Sequence, residues 1–266
     1  MGKRRVKGKF SAVWEYRDGV MRRILILIFL FFPQICRADI TSNLVGWWKM
    51  DDGAGTTALD SSGQGDSGTL SGSTTPTWVA GKIGSHALSF NGTTAYVLIT
   101  NNATDFDFAA NDFTVSWWEY RTSNTNGAAA IVRDHTNIYP PFLMGYCGGT
   151  TTLYVYMHSS AAWDIASGQT LGADVLSTWE FYTVRRSGTH FYTYQNGNQV
   201  STWTSSASFA AGGAGIRLGD YISTIDYWFA GSLDDVRIYS RALSQADITQ
   251  LYNYTQKTGL MALSGD

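Results

Sequence analysis

Cysteine is almost absent. Cys36 and Cys147 are the only two in 266 residues, and Cys36 lies in a segment expected to be cleaved away. A lone Cys147 excludes an intrachain disulfide framework and, with no Cys-His motif around it, reads as a small buried hydrophobe. Proline is nearly as scarce at 4 residues, so no Pro-rich linker divides the chain. The longest apolar run, residues 24–32, has nine residues. That is far short of the roughly 20 a membrane-spanning helix requires. Glutamate is also rare: beyond residue 38 only Glu119 and Glu180 occur, and neither has an acidic neighbour two to five residues away. No His-x-x-x-His or Gly-x-Ser-x-Gly pattern accompanies His135, His158 or His190, so each reads as a surface or hydrogen-bonded histidine.

Basic charge is thin where it matters. Residues 1–38 carry 9 of the 19 Lys and Arg but only 2 of the 21 Asp and Glu. They look like a secretory leader: a basic stretch, the apolar run, then Cys36-Arg-Ala38 ahead of a cut before Asp39. Met21, followed by Arg22 and Arg23, offers an alternative start. Removing the leader leaves 10 basic against 19 acidic residues, a formal charge of −9. An acidic surface repels phosphate backbones and anionic lipid, which argues against a nucleic-acid partner. The expectation is a secreted, extracellular or periplasmic protein.

What is abundant points to β-structure. Aromatics make up 14% of the chain and glycines number 28. Short stretches of β-branched and aromatic residues alternate with Gly-rich turns and no long helical periodicity intervenes. Phe113, Val115 and Trp117 share one face of such a stretch. Trp47 and Trp48 must face opposite ways. Residues 87–91 and 95–99, joined by Gly-Thr-Thr, read as a hairpin, and Asn196-Gly197 is the strongest hairpin signal in the chain. About a dozen short strands and no internal repeat predict an all-β, two-sheet antiparallel sandwich over 39–266.

The stretch 231–244 is expected to close it. Alternation puts Asp234 on the face of Val236 and Ile238, and Asp235 on that of Arg237 and Tyr239. A carboxylate turned toward a core needs a cation or several donors. Ser244 and Asp247 then form a capping-box pattern ahead of Ile248, Leu251 and Tyr252, predicting a short peripheral helix.

An ordered series of segments carries a resemblance: Val45-Gly-Trp-Trp-Lys-Met-Asp-Asp-Gly-Ala-Gly-Thr-Thr57, Asp60-Ser-Ser-Gly-Gln-Gly65, Ala87-Leu-Ser-Phe-Asn-Gly-Thr-Thr-Ala-Tyr-Val97, Phe113-Thr-Val-Ser-Trp117, Trp179-Glu-Phe-Tyr-Thr-Val184, Tyr194-Gln-Asn-Gly197 and Leu233-Asp-Asp-Val-Arg-Ile-Tyr-Ser-Arg-Ala-Leu243. Together these resemble the laminin-G-like, concanavalin A-like lectin/glucanase jelly roll over residues 44 to about 255. The resemblance implies first and last strands side by side, and glycan or protein binding outside the cell. It also implies a structural Ca²⁺ at Asp52, Asn91 and Asp234, since hard oxygen ligands suit that ion. The alternative is that Asp234 accepts from backbone amides while Asp235 pairs with Arg237 or Arg241.

Glycan-cleaving relatives place a Glu-x-Asp-x-x-Glu constellation on one strand, because hydrolysis needs two carboxylates about the bond. That pattern is missing, and Glu119 reads as an exposed strand residue. A non-catalytic carbohydrate-binding module is therefore expected, with an adhesion or structural protein binding a protein partner as the alternative and a glycan-active enzyme with an unrecognised site as the third reading. A sugar site needs flat aromatic faces and planar polar groups. Tyr139, Tyr146, Trp163 and Asp164 are the candidates, with residues 221–228 as a further aromatic stretch.

Overall fold

The structure, a computed structural model, describes residues 13–17, 20–24, 39–100, 103–124, 129–133, 140–146, 149–160, 163–210, 215–221 and 227–261. It divides into two units, Met1–Ala38 and Asp39–Asp266. In the first, β1 (Val13–Arg17) and β2 (Val20–Ile24) form an antiparallel hairpin with Val13 opposite Ile24. The rest of the expected leader, including nearly all of its apolar run, lies outside the described residues. No helix among the described residues is long and apolar enough to cross a membrane.

The second unit contains, in chain order, β3 (Leu44–Trp48), β4 (Thr57–Ala58), β5 (Gly68–Ser71), β6 (Thr77–Ala80), β7 (His86–Asn91), β8 (Tyr96–Ile99), a 3-10 turn (Ala103–Phe106), β9 (Phe113–Arg121), β10 (Ile131–Arg133), β11 (Phe142–Tyr146), β12 (Thr152–Met157), β13 (Ala166–Ala173), β14 (Trp179–Ser187), β15 (His190–Gln195), β16 (Asn198–Thr204), β17 (Ile216–Leu218), β18 (Asp220–Tyr221), β19 (Tyr227–Trp228), β20 (Ala230–Tyr239) and α1 (Gln245–Met261). Two eight-stranded antiparallel sheets result. The helix-side sheet runs β16-β15-β14-β9-β20-β7-β6, with β3 paired to β20 beyond the end of β7; the far sheet runs β13-β12-β11-β10-β17-β8-β5-β4. This is the expected sandwich, of jelly-roll type.

Alternation explains the layers. Trp48, Val115, Trp117, Val184, Val236 and Ile238 point from the helix-side sheet into one apolar core, meeting Val97, Ile131, Met144, Val155 and Leu218 from the far sheet. The opposite parity of the helix-side sheet presents Leu44, Trp118, Phe181, Tyr194 and Tyr239, which Ile248 and Leu251 of α1 cover. Tyr252 stacks on Trp118 at 5.7 Å between ring centroids. Asp247 N–H donates to Ser244 Oγ at 3.1 Å, and Ser244 N–H donates to the Asp247 carboxylate at 3.0 Å, so the predicted capping box is closed in both directions. At 17 residues the helix is longer than expected.

The two ends of the sandwich meet. Trp48 lies opposite Val236, Trp47 opposite Arg237, Gly46 opposite Ile238 and Leu44 opposite Tyr239. As alternation demands, Trp48 enters the core while Trp47 faces outward and donates its indole N–H to Asp235 at 2.7 Å. The Asn196-Gly197 hairpin also forms: both residues have positive φ, 51° and 77°, and β15 pairs with β16 across them.

Two local expectations fail. Residues 87–91 and 95–99 are not a hairpin, since β7 belongs to the helix-side sheet and β8 to the far sheet. The Asn91 side-chain oxygen accepts from Thr93, Thr94 and Ala95 N–H, and Gly92 sits at φ 72°, turning the chain across the sandwich. Nor does Asp234 face the core. Asp235 has φ 46° at a bulge in which Asp234 is opposite Trp118 and Arg237 is opposite Ser116. One extra residue reverses the alternation, so Leu233, Val236 and Ile238 point inward while Asp234 lies outward beside Trp118.

Candidate functional site

The displaced carboxylate settles locally. Asp234 is fully buried beneath the segment that follows β6, and its Oδ2 accepts from Lys82 N–H at 2.7 Å and Ile83 N–H at 2.8 Å. Burial, with Asp235 and Asp51 nearby, outweighs those two donors and raises its pKa to about 8. Asp235 pairs with Arg237 at 3.0 Å. The amide-capping alternative is thus the one realised.

The residues expected for Ca²⁺ do not fit the ion as a set. Asp52 accepts from Leu59 N–H at 3.1 Å. Asn91 is spent on its three turn amides and lies opposite Ala230, four residues along β20 from Asp234. At roughly 3.3 Å per residue that is about 13 Å, far outside a shared coordination shell. Among the described residues no group of three or more His, Cys, Asp or Glu could hold a metal.

Aromatic residues do converge, on the outer face of the far sheet. Leu153, Val155 and Met157 of β12 enter the core, which leaves Tyr154 and Tyr156 on the outer side. Trp163 packs on Tyr156 at 5.1 Å, Tyr156 on Tyr146 at 5.4 Å, Tyr146 on Tyr227 at 5.8 Å and Tyr227 on Tyr221 at 5.6 Å. Val132 and Leu143 floor this row. Burial, with Tyr154 alongside, raises the Tyr156 hydroxyl above the ordinary phenol range. Of the expected site residues, Tyr146 and Trp163 belong to the row. Asp164 follows Trp163 at one end, accepts from Ser159 N–H at 2.7 Å and lies 4.0 Å from His158. Tyr139 is outside the described residues, as are His135 and Cys147. Tyr156, which joins Trp163 to Tyr146 in the row, was not anticipated as a site residue, although the alternation of Tyr154-Val-Tyr156 already places it opposite the core residues of its strand.

Backbone irregularities set the row. β11 and β12 slip register between Met144 and Tyr146, and Gly145 occupies φ 75° at that bulge. Without the extra residue Tyr146 would follow Met144 into the core; with it, Tyr146 faces out. The bulge is held from below by Arg121, which is 1% exposed and donates to the Gly145 carbonyl at 2.7 Å. Arg121 also pairs with Glu119 at 2.8 Å and Asp174 at 3.4 Å, and lies 4.8 Å from the Phe229 ring, two residues past Tyr227. At Gly168, φ 75°, a Cβ would come within 3.1 Å of the Tyr156 hydroxyl, so a side chain there would crowd the ring.

One of the two glutamates differs from expectation. Glu119 is 2% exposed, not surface-facing, and its carboxylate accepts from the Trp117 indole at 3.0 Å as well as from Arg121. Glu180 lies opposite it on β14 and accepts from Gln195 at 3.0 Å and from Asn196. Both point between the sheets and serve buried polar contacts.

Comparison with known proteins places this geometry. Residues 91–249 match the laminin G family model described as the concanavalin A-like lectin/glucanases superfamily. No curated protein sequence matches the chain. Among solved structures, domain 4 of AbnA, a GH43 extracellular arabinanase from Geobacillus stearothermophilus in complex with arabinotriose, superposes with a TM-score of 0.61 at 21% identity, over 79% of this chain and 98% of that one. The binding domain of Paraclostridial Mosquitocidal Protein 1 gives 0.63 at 16%, over 81% and 53%. The binding domain of botulinum neurotoxin DC in complex with SialylT gives 0.63 at 16%, over 83% and 53%. The chain thus spans about half the length of these toxin binding domains. At such identities the likeness is one of fold.

Proposed function

From the premise that this chain belongs to the concanavalin A-like lectin/glucanases superfamily, we propose that it is a non-catalytic binding module that takes carbohydrate over the aromatic row of its far sheet. The observation that carries this is the unbroken sequence of rings Trp163, Tyr156, Tyr146, Tyr227 and Tyr221, of which all but Tyr221 are only half-buried. Sugar C–H faces stack on such rings, while phenol and carboxylate oxygens along the row meet hydroxyl groups. On the helix-side sheet, the outward rings and aliphatic side chains Leu44, Trp118, Phe181, Tyr194 and Tyr239 are buried beneath α1. The arabinotriose complex of the arabinanase domain and the SialylT complex of the toxin domain support the reading by analogy of fold. So does the use of Glu119 and Glu180 in buried contacts, which leaves neither presented as an acid or base.

The segment before Asp39 acts, in this proposal, as an export leader, and the module works outside the cytoplasm. Mass spectrometry of the exported protein is expected to give Asp39 as the first residue; retention of residues 1–38 refutes the leader. For the binding site, isothermal titration against a soluble glycan panel is expected to give saturable binding that Tyr156→Ala weakens by about tenfold or more. Unchanged affinity in Tyr156→Ala rules out the row. Release of new reducing ends during incubation rules out a purely binding role.

A further inference from the structure

We infer that the aromatic row takes a single, uncharged, soluble oligosaccharide chain, and discriminates against both anionic glycans and flat crystalline polysaccharide. This rests on the carbohydrate reading above and narrows it to a ligand class.

The first observation is where the cations are. Lys49 lies 4.3 Å from the Trp47 ring, Lys82 4.9 Å from Trp118, Arg185 4.3 Å from Tyr192, Arg237 4.4 Å from Trp47 and Arg241 5.8 Å from Tyr239. All these rings belong to the cluster on the outer side of the helix-side sheet. Arg121, Arg133 and Arg186 are buried inside the sandwich. Among the described side chains, Arg217 is the one cation on the far sheet's outer parity. It is paired with Asp220 at 2.9 Å and lies 4.6 Å from the Tyr96 ring. Asp164 adds a carboxylate beside Trp163. A uronate, sulfate or sialic acid is held most strongly by charge-assisted hydrogen bonds, above all the bidentate fork of an arginine presented to the ligand. The described side chains of this face offer the Asp164 carboxylate and an Arg217 already paired with Asp220, on a unit of formal charge −9.

The second observation is how the rings are turned. Trp163 and Tyr156 are inclined at 62°, Tyr156 and Tyr146 at 89°, and Tyr146 and Tyr227 at 85°; only Tyr227 and Tyr221 are parallel, at 5°. Rings that turn by near right angles from one to the next cannot lie together under one rigid plane. They can follow a chain whose successive sugar units rotate about their glycosidic bonds.

The test titrates the full chain with soluble neutral arabino-, xylo- and gluco-oligosaccharides, with oligogalacturonate and heparin oligosaccharides of matched length, and by pull-down with crystalline cellulose. The expected result is binding of at least one neutral chain, at least about tenfold tighter than any anionic one and insensitive to salt. Asp164→Lys is expected to raise affinity for oligogalacturonate. Tighter binding of an anionic chain, falling as salt rises, overturns the inference and leaves the carbohydrate reading standing. Stronger retention on crystalline cellulose than by any soluble chain does the same. Binding to no member of the panel overturns both.

Discussion

Asp234 makes the stability of this protein depend on pH in the opposite sense from an ordinary paired carboxylate. The side chain is wholly buried, its Oδ2 is held by two amides, and its Oδ1 is buried with no hydrogen-bond partner. With its pKa raised to about 8 from 3.8, the folded protein keeps a proton that the unfolded chain releases. Stability attached to this group is therefore complete below the unfolded value, falls as pH rises from about 4, and is lost above about 8. At about 1.4 kcal/mol per unit, the loss is on the order of 5 kcal/mol. Asp234→Asn is nearly isosteric with the protonated acid. It retains an oxygen for Lys82 and Ile83 N–H but cannot ionise. Urea unfolding followed by tryptophan fluorescence at pH 5, 7 and 9 measures the difference. The variant is expected to match or fall slightly below the parent at pH 5 and to exceed it by several kcal/mol at pH 9. An equal difference at both ends of the range refutes the reasoning, as does a parent that gains on the variant with rising pH.

Asp66 extends the same logic: it is fully buried, neither carboxyl oxygen has a hydrogen-bond partner, and burial, with Asp105 and Asp60 nearby, raises its pKa to about 6. Asp66→Asn should stabilise the protein at pH 8 by a few kcal/mol and by much less at pH 4, measured by the same unfolding assay; equal effects at both values would contradict it. Arg121→Met, which strands Glu119 and Asp174, is expected to cost about 3–5 kcal/mol, and Arg121→Met combined with Glu119→Gln less than the single change. Denaturant midpoints check this, and strictly additive losses would dissolve the proposed unit. Ser244→Ala removes one half of the capping box and should cost roughly 0.5–2 kcal/mol, again by denaturant midpoint.

Much of the fold was legible because period-two alternation and turn chemistry are local. Trp47 against Trp48, the Asn196-Gly197 hairpin, the capping box at Ser244 and the adjacency of the first and last strands all follow from residues within a few positions of each other or from the ordered family segments. What sequence could not supply were the places where one residue resets the phase. Asp235 in the left-handed region moved Asp234 from the core to the outer face, where the Lys82 and Ile83 amides hold it. Asn91 used its side chain to turn three amides and sent the next strand to the other sheet. Glu119 looked exposed because its partner, Arg121, is two residues away on the same strand and its charge is satisfied between the sheets.

The site was half legible for the same reason. Tyr146 and Trp163 were singled out as aromatics in irregular stretches. Tyr156 sits on a regular strand, where a tyrosine ordinarily signals packing, and its place in the row appears only once the rings of Trp163, Tyr146 and Tyr227 are followed from one to the next. The bulge at Gly145 carries no pattern that alternation would flag, yet it decides which way Tyr146 points.

The most direct test of the central claim is hydrogen–deuterium exchange of the full chain with and without a bound neutral oligosaccharide. Protection is expected at residues 142–146, 152–157 and 227–228, with α1 and residues 81–86 unchanged. Protection confined to the α1 side, with those three segments unaffected, would contradict it.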